Sequence, residues 1–141
     1  MSKGRILTFD FGLKRTGVAV SDEEQNFAFP LDTISTNNLL NWINDYMDKE
    51  NVVCFVFGQP MHADDTPADI EPHILGLIKK IRKQYPQILI ERQDERYTSK
   101  MAFDAILKGG VPKMKRRNKA LIDKVSATII LQSYLQSKEN Q

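Results

Sequence analysis

Two hydrophobic periods alternate along this chain, and between them they predict most of its elements. Residues 5–10 and 16–21 are apolar, rich in Ile, Leu, Phe and Val, and joined by a polar turn holding Gly12, Lys14, Arg15 and Gly17. That pattern predicts a β-hairpin with Asp10 at its mouth. A third strand over 28–34 contains Pro30, which cannot donate to a ladder and so suits a sheet edge. The period then changes: Leu39, Leu40, Trp42, Ile43, Tyr46 and Met47 recur at helical spacing behind Thr36-Asn37-Asn38, residues that cap helix starts. Residues 52–57 form an apolar run without alternation, predicting a strand buried on both faces and entered by a parallel crossover.

After a polar stretch over 61–72, Ile70, Ile74, Leu77, Ile78 and Ile81 predict a second amphipathic helix, with Pro72 tolerable only in its first turn. A strand over 88–93 runs into Asp94-Glu95-Arg96. A helix is then expected from Thr98 or Ser99 to Gly109-Gly110, and another over 119–136. The order βββαβαβαα predicts an α/β fold: a central mixed five-stranded sheet, an antiparallel meander followed by parallel strands, flanked by helices.

Composition narrows this picture. At 141 residues and 41% hydrophobic, the chain suits one domain over 1–141. The net charge of +2 says little about a polyanionic partner, so the distribution of charge matters more than its sum. Cys54, the only cysteine, sits in the apolar run and is expected to be a buried structural thiol. No stretch is long and apolar enough to span a bilayer, so a cytoplasmic protein without membrane association is expected.

The chemistry lies in where the acids fall. An ionised Asp10 at the end of an apolar strand is costly unless a cation, a metal or hydrogen-bond donors meet it; turn amides would suffice for an isolated Asp-Phe-Gly. On the final helix, Asp123 shares a face with Ser126, Ala127, Ile130 and Tyr134, and the small residues would let that helix approach the sheet closely. Asp94 and Glu95 follow a strand that, if parallel to 5–10 and 52–57, ends at the same sheet edge, where ligand sites of open sheets tend to lie. Carboxylates converging there repel one another unless a hard divalent cation joins them, which points to Mg²⁺ or Mn²⁺. One residue of slip at a strand end decides whether Asp94 or Glu95 faces the site. His62 and His73 lack partners at ligand spacing and are expected on the surface.

A basic run, Lys113, Lys115, Arg116, Arg117 and Lys119, leads into Asp123, and with Lys14, Arg15 and Arg96 it offers phosphate contacts beside the acids. Taken together, Asp10-Phe11-Gly12, Lys14-Arg15, the run from Gly17 to Asp22, Gly58, Pro60, Asp94-Glu95-Arg96 with Thr98 and Ala102, and Asp123 with Ser126-Ala127 resemble the YqgF family over nearly the whole chain. Its members are described as Holliday junction resolvases or pre-16S ribosomal RNA nucleases with a ribonuclease H-like fold. The resemblance implies a cytoplasmic metal-dependent nuclease with acids at Asp10, Glu95 and Asp123. Its substrate would be precursor ribosomal RNA or branched DNA, and it would act as a monomer or homodimer. Two other classes fit part of the pattern. One is a catalytically idle nucleic-acid-binding or ribosome-assembly factor; the other is a nucleotide-dependent phosphotransferase, which needs a second domain that a chain of this size lacks. A protein kinase reading of Asp10-Phe11-Gly12 fails because no Gly-rich or His-Arg-Asp loop precedes it.

Overall fold

A computed structural model describes residues 3–61, 68–94 and 119–139. Within them run β1 (Arg5–Asp10), β2 (Arg15–Ser21), β3 (Ala28–Ser35), a 3-10 turn (Thr36–Asn38), α1 (Leu39–Lys49), β4 (Val52–Gln59), α2 (Glu71–Gln84), β5 (Leu89–Asp94) and α3 (Lys119–Glu139). The five strands form one sheet in the order β3-β2-β1-β4-β5. β1, β2 and β3 pair antiparallel, whereas β1, β4 and β5 pair parallel. This is the mixed α/β architecture that the alternation of elements implied, with the Pro30 strand at an edge. The helix expected between Thr98 and Gly110 lies outside the described residues.

Strand bounds differ slightly from the sequence pattern. β4 continues through Gly58 and Gln59, and β5 through Asp94, because these residues still pair in register, Gly58 with Gln93 and Gln59 with Asp94. Thr36-Asn37-Asn38 does not cap α1 with its side chains as expected. The Thr36 hydroxyl turns back instead, donating to the Gly12 carbonyl at 2.6 Å and meeting the Thr16 hydroxyl at 2.9 Å, while the Thr36 amide donates to the Lys14 carbonyl. The turn after Asp10 is thereby tied to the start of α1.

The unbroken apolar run of β4 has its explanation in two covered faces. On one, Leu7, Phe9, Phe55 and Phe57 pack against α1 and α2 through Leu39, Ile43, Ile74, Ile78 and Ile81. Phe9 stacks on Phe57 at 4.8 Å between ring centroids. On the other, Ile6, Ala19, Cys54 and Val56 pack against Ala127, Ile130 and Leu131 of α3. Cys54 is fully buried as expected, and that burial pushes its thiol up to about 11, with the Tyr134 hydrogen bond working against the shift. It is a core residue and no nucleophile.

A buried ion pair staples α2 to the carboxyl ends of β4 and β5. Arg92 donates to both Glu71 carboxylate oxygens, at 2.6 and 3.0 Å, and also to the carbonyls of Phe57 and Gly58. Glu71 is 7% exposed, so removing it leaves the partly buried Arg92 guanidinium without this counter-charge. Glu71→Ala is expected to destabilise the fold by about 2 kcal/mol or more, and pairing it with Arg92→Met should recover much of that loss. Urea unfolding of the two single variants and the double variant measures the coupling. Strictly additive losses would refute it.

Candidate active site

Pleat parity sorts the acids. Ile6, Thr8 and Asp10 alternate with Leu7 and Phe9, so Asp10 belongs to the face that α3 covers. Directly across the β1–β2 ladder, Asp10 pairs with Gly17. Gly17 is where α3 comes closest: a Cβ built there would collide with the Asp123 carbonyl oxygen and lie 3.1 Å from the Asp123 Cα. Only a glycine allows that approach. Asp10 and Asp123, distant in sequence, are therefore neighbours of the same residue.

The face assigned to α3 is the expected one, since Ser126, Ala127, Ile130 and Tyr134 are all buried. Asp123, at the rim of that face, keeps a 24% exposed side chain and accepts a hydrogen bond from Arg15 Nε at 3.0 Å. The pair was not legible in the sequence, where Arg15 reads as a phosphate contact. Its signal was parity alone, because Arg15 and Gly17 are two apart on one strand and share a face. Thr33 of β3 adds a second tie, its hydroxyl donating to the Ala120 carbonyl at 2.6 Å.

Beneath the two acids, on the same two elements, the Thr8 and Ser126 hydroxyls are buried without a hydrogen-bond partner among the described residues. Buried hydroxyls in that state are costly. Asp94, by contrast, has the parity of Arg92, whose side chain reaches Glu71 on the α2 side of the sheet. Its register places it on the face opposite Asp10. Asp22 holds its own turn together. Partial burial works against its ionisation, but amides of Phe27 and Asn26, donating to Oδ1 at 2.7 and 2.8 Å, hold its carboxyl below the usual value.

Glu95, Arg96, Lys113, Lys115, Arg116 and Arg117 lie outside the described residues, as does His62, and Lys119 enters only as the first residue of α3. Lys14 is exposed on the turn after Asp10, and His73 is exposed on α2. Among the described residues no three His, Cys, Asp or Glu side chains gather as a metal-binding group. Asp10 and Asp123, the acids that flank Gly17, carry hard oxygens of the kind that suit Mg²⁺ or Mn²⁺. Among the described residues no helix is long and apolar enough to cross a membrane.

Residues 4–137 match the family model described as RuvX: Holliday junction resolvase. The chain belongs to the RuvX family. Curated RuvX relatives align over nearly their full length. A protein of Christiangramia forsetii named "Putative pre-16S rRNA nuclease" is 48% identical over 131 residues, covering 93% of this chain and 97% of its own. Proteins bearing the same name in Phocaeicola vulgatus and Flavobacterium johnsoniae are 46% and 45% identical, covering 96% and 95% of this chain and 97% of each relative. A looser likeness, with a TM-score of 0.44 and 11% identity, links 99% of this chain to 38% of Archaeoglobus fulgidus Pelota.

Proposed function

We propose that this chain is a nuclease that hydrolyses phosphodiester bonds in the maturation of precursor 16S ribosomal RNA, using a divalent metal held by Asp10, Asp123 and Glu95. The observation that carries this reading is Gly17, which faces Asp10 across the ladder and admits the Asp123 backbone. A close approach of helix to strand at that one position brings two carboxylates from opposite ends of the chain to one sheet edge. Glu95 is preferred to Asp94 as the third acid on parity: Gln93 pairs with Gly58 on the Asp10 face, Asp94 takes the other, and the next position of the same parity in the sequence is Glu95. The name borne by the relatives, which are 41–48% identical, supports the RNA substrate.

When bound, Mg²⁺ or Mn²⁺ supplies activation of water and charge stabilisation at the leaving oxygen. The chain's own residues do the positioning. Asp10 is fixed by strand pairing. Asp123 is oriented by Arg15, whose guanidinium lowers the cost of holding two carboxylates near each other. Lys14 is exposed on the adjoining turn, available to a phosphate of the same strand. The basic residues between 113 and 119, together with Arg96, are proposed to hold the RNA backbone.

The test compares Mg²⁺-dependent cleavage of a precursor 16S RNA end, a four-way DNA junction and matched linear duplexes. Selective cutting of the RNA end is expected. Selective cutting of the junction would move the substrate to branched DNA, and salt-sensitive binding without turnover of any substrate would make the chain an assembly factor.

A further inference from the structure

A groove opens between α1 and α2 on the sheet face opposite Asp123, with a volume of about 480 Å³, in the range of sites that hold a nucleotide-sized ligand. Phe11, Leu40 and Leu77 form its apolar floor, and Asn37, His73 and Lys80 line its exposed rim. Among the described residues that line it, none is Asp or Glu. Phe11 directly follows Asp10 in the chain, and Thr36, also on the groove wall, is bonded to the Gly12 carbonyl. The groove therefore begins one residue beyond Asp10, and the Thr36 bond ties its wall to the turn that follows.

Gly76 makes the space. It lies inside α2, where glycine is the poorest helix former apart from proline, yet a Cβ added there would meet no heavy atom within 4 Å. Packing within the fold does not call for a glycine at this position. Its effect is to leave the groove wall bare beside Leu77 and between His73 and Lys80, which stand about one helical turn to either side of it.

We propose that this groove receives one unpaired nucleotide of the RNA strand that is cut at the Asp10 edge, its base lying on Phe11 and Leu77 and its phosphate meeting Lys80. The identity of the strand rests on the nuclease reading above; the groove's chemistry does not. An aromatic floor accepts any base by stacking, Asn37 offers an amide to a base edge, and a rim that carries Lys80 and no acid among its described residues is complementary to a polyanion. A duplex, whose bases are paired and stacked, cannot insert one.

The test is binding of a fluorescein-labelled oligouridylate, followed by anisotropy in EDTA so that nothing is cleaved, against a labelled RNA duplex of equal length. Gly76→Leu fills the groove and is expected to weaken single-strand binding about tenfold, the scale of one lost base stack, while leaving duplex binding unchanged. Gly76→Ala, which adds only a methyl group, should bind as the parent does. Lys80→Glu, an exposed change with little risk to folding, should also weaken the single strand and flatten its salt dependence. Equal single-strand affinity in the parent, Gly76→Leu and Lys80→Glu would overturn the proposal. So would equal losses for single strand and duplex. The nuclease reading fails separately: a parent that cleaves nothing in Mg²⁺ overturns it, and the groove still stands if Gly76→Leu loses the oligouridylate.

Discussion

An Asp10→Asn variant is expected to keep its fold and its affinity for RNA and to lose Mg²⁺-dependent cleavage by at least about 100-fold, more than outer-shell partners of a metal usually cost. The substitution is isosteric, so the β1–β2 ladder and the Phe9–Phe57 stack on the opposite face have no reason to shift. What it removes is charge. Asp10 and Asp123 flank the same glycine, and two carboxylates gathered in this way repel each other until a cation joins them. In metal-free buffer, losing one of them should leave the melting temperature equal to the parent's or slightly higher. In Mg²⁺ the parent should gain thermal stability by mass action and the variant should gain less. Cleavage at the parent's rate by the purified variant would remove Asp10 from the reaction.

Gly17→Ala is expected to do the opposite, damaging the fold first and the chemistry in consequence. The new methyl group would enter the space of the Asp123 carbonyl, and the obstacle is backbone on both sides, so neither partner can rotate away. Overpacking of this kind costs about 3 kcal/mol at the upper end, which for a chain of this size lowers the melting temperature by roughly 10 °C. The variant that remains folded must hold α3 farther from β2. That displaces Asp123 from Asp10 and strains the Arg15 and Thr33 ties. Specific activity per folded molecule should therefore fall as well. Thermal melts with cleavage assays below the transition would measure both losses. The same glycine-to-alanine change at Gly76 should instead raise stability by up to about 1 kcal/mol, because that helix position is open and only the propensity changes. Equal effects at the two sites would contradict the geometry of both.

How far the sequence reveals this arrangement depends on the kind of signal each residue carries. The apolar runs of β1, β2 and β4 and the 3.6-residue stripe of α1 and α2 were readable because both faces of those strands and one face of each helix are buried. Pro30 marked β3 as an edge through a missing donor, and Ser126 with Ala127 marked the helix face that comes close to the sheet. Three things were not readable. Gly17 looked like part of a turn, since a glycine in a strand shows its purpose only once the element packed against it is known. Arg15 looked like a phosphate contact because its partner Asp123 lies 108 residues away. The pairing of Glu71 with Arg92 has no sequence signal, because the two lie on different elements and only the register of β5 against β4 and the start of α2 shows that they meet. The choice between Asp94 and Glu95 also turned on register, and the register of β5 puts Asp94 on the face opposite Asp10.

The separation of 108 residues between Arg15 and Asp123 has a consequence for the chain while it is being made. Domains fold from the N-terminal end as they leave the ribosome, and the hairpin bearing Asp10 emerges long before α3. A growing chain at that stage possesses Asp10 and an open sheet face, without the Asp123 that α3 carries. If all the acids together are what cut ribosomal RNA, the enzyme stays harmless to the particle that is synthesising it until α3 emerges and closes against Gly17.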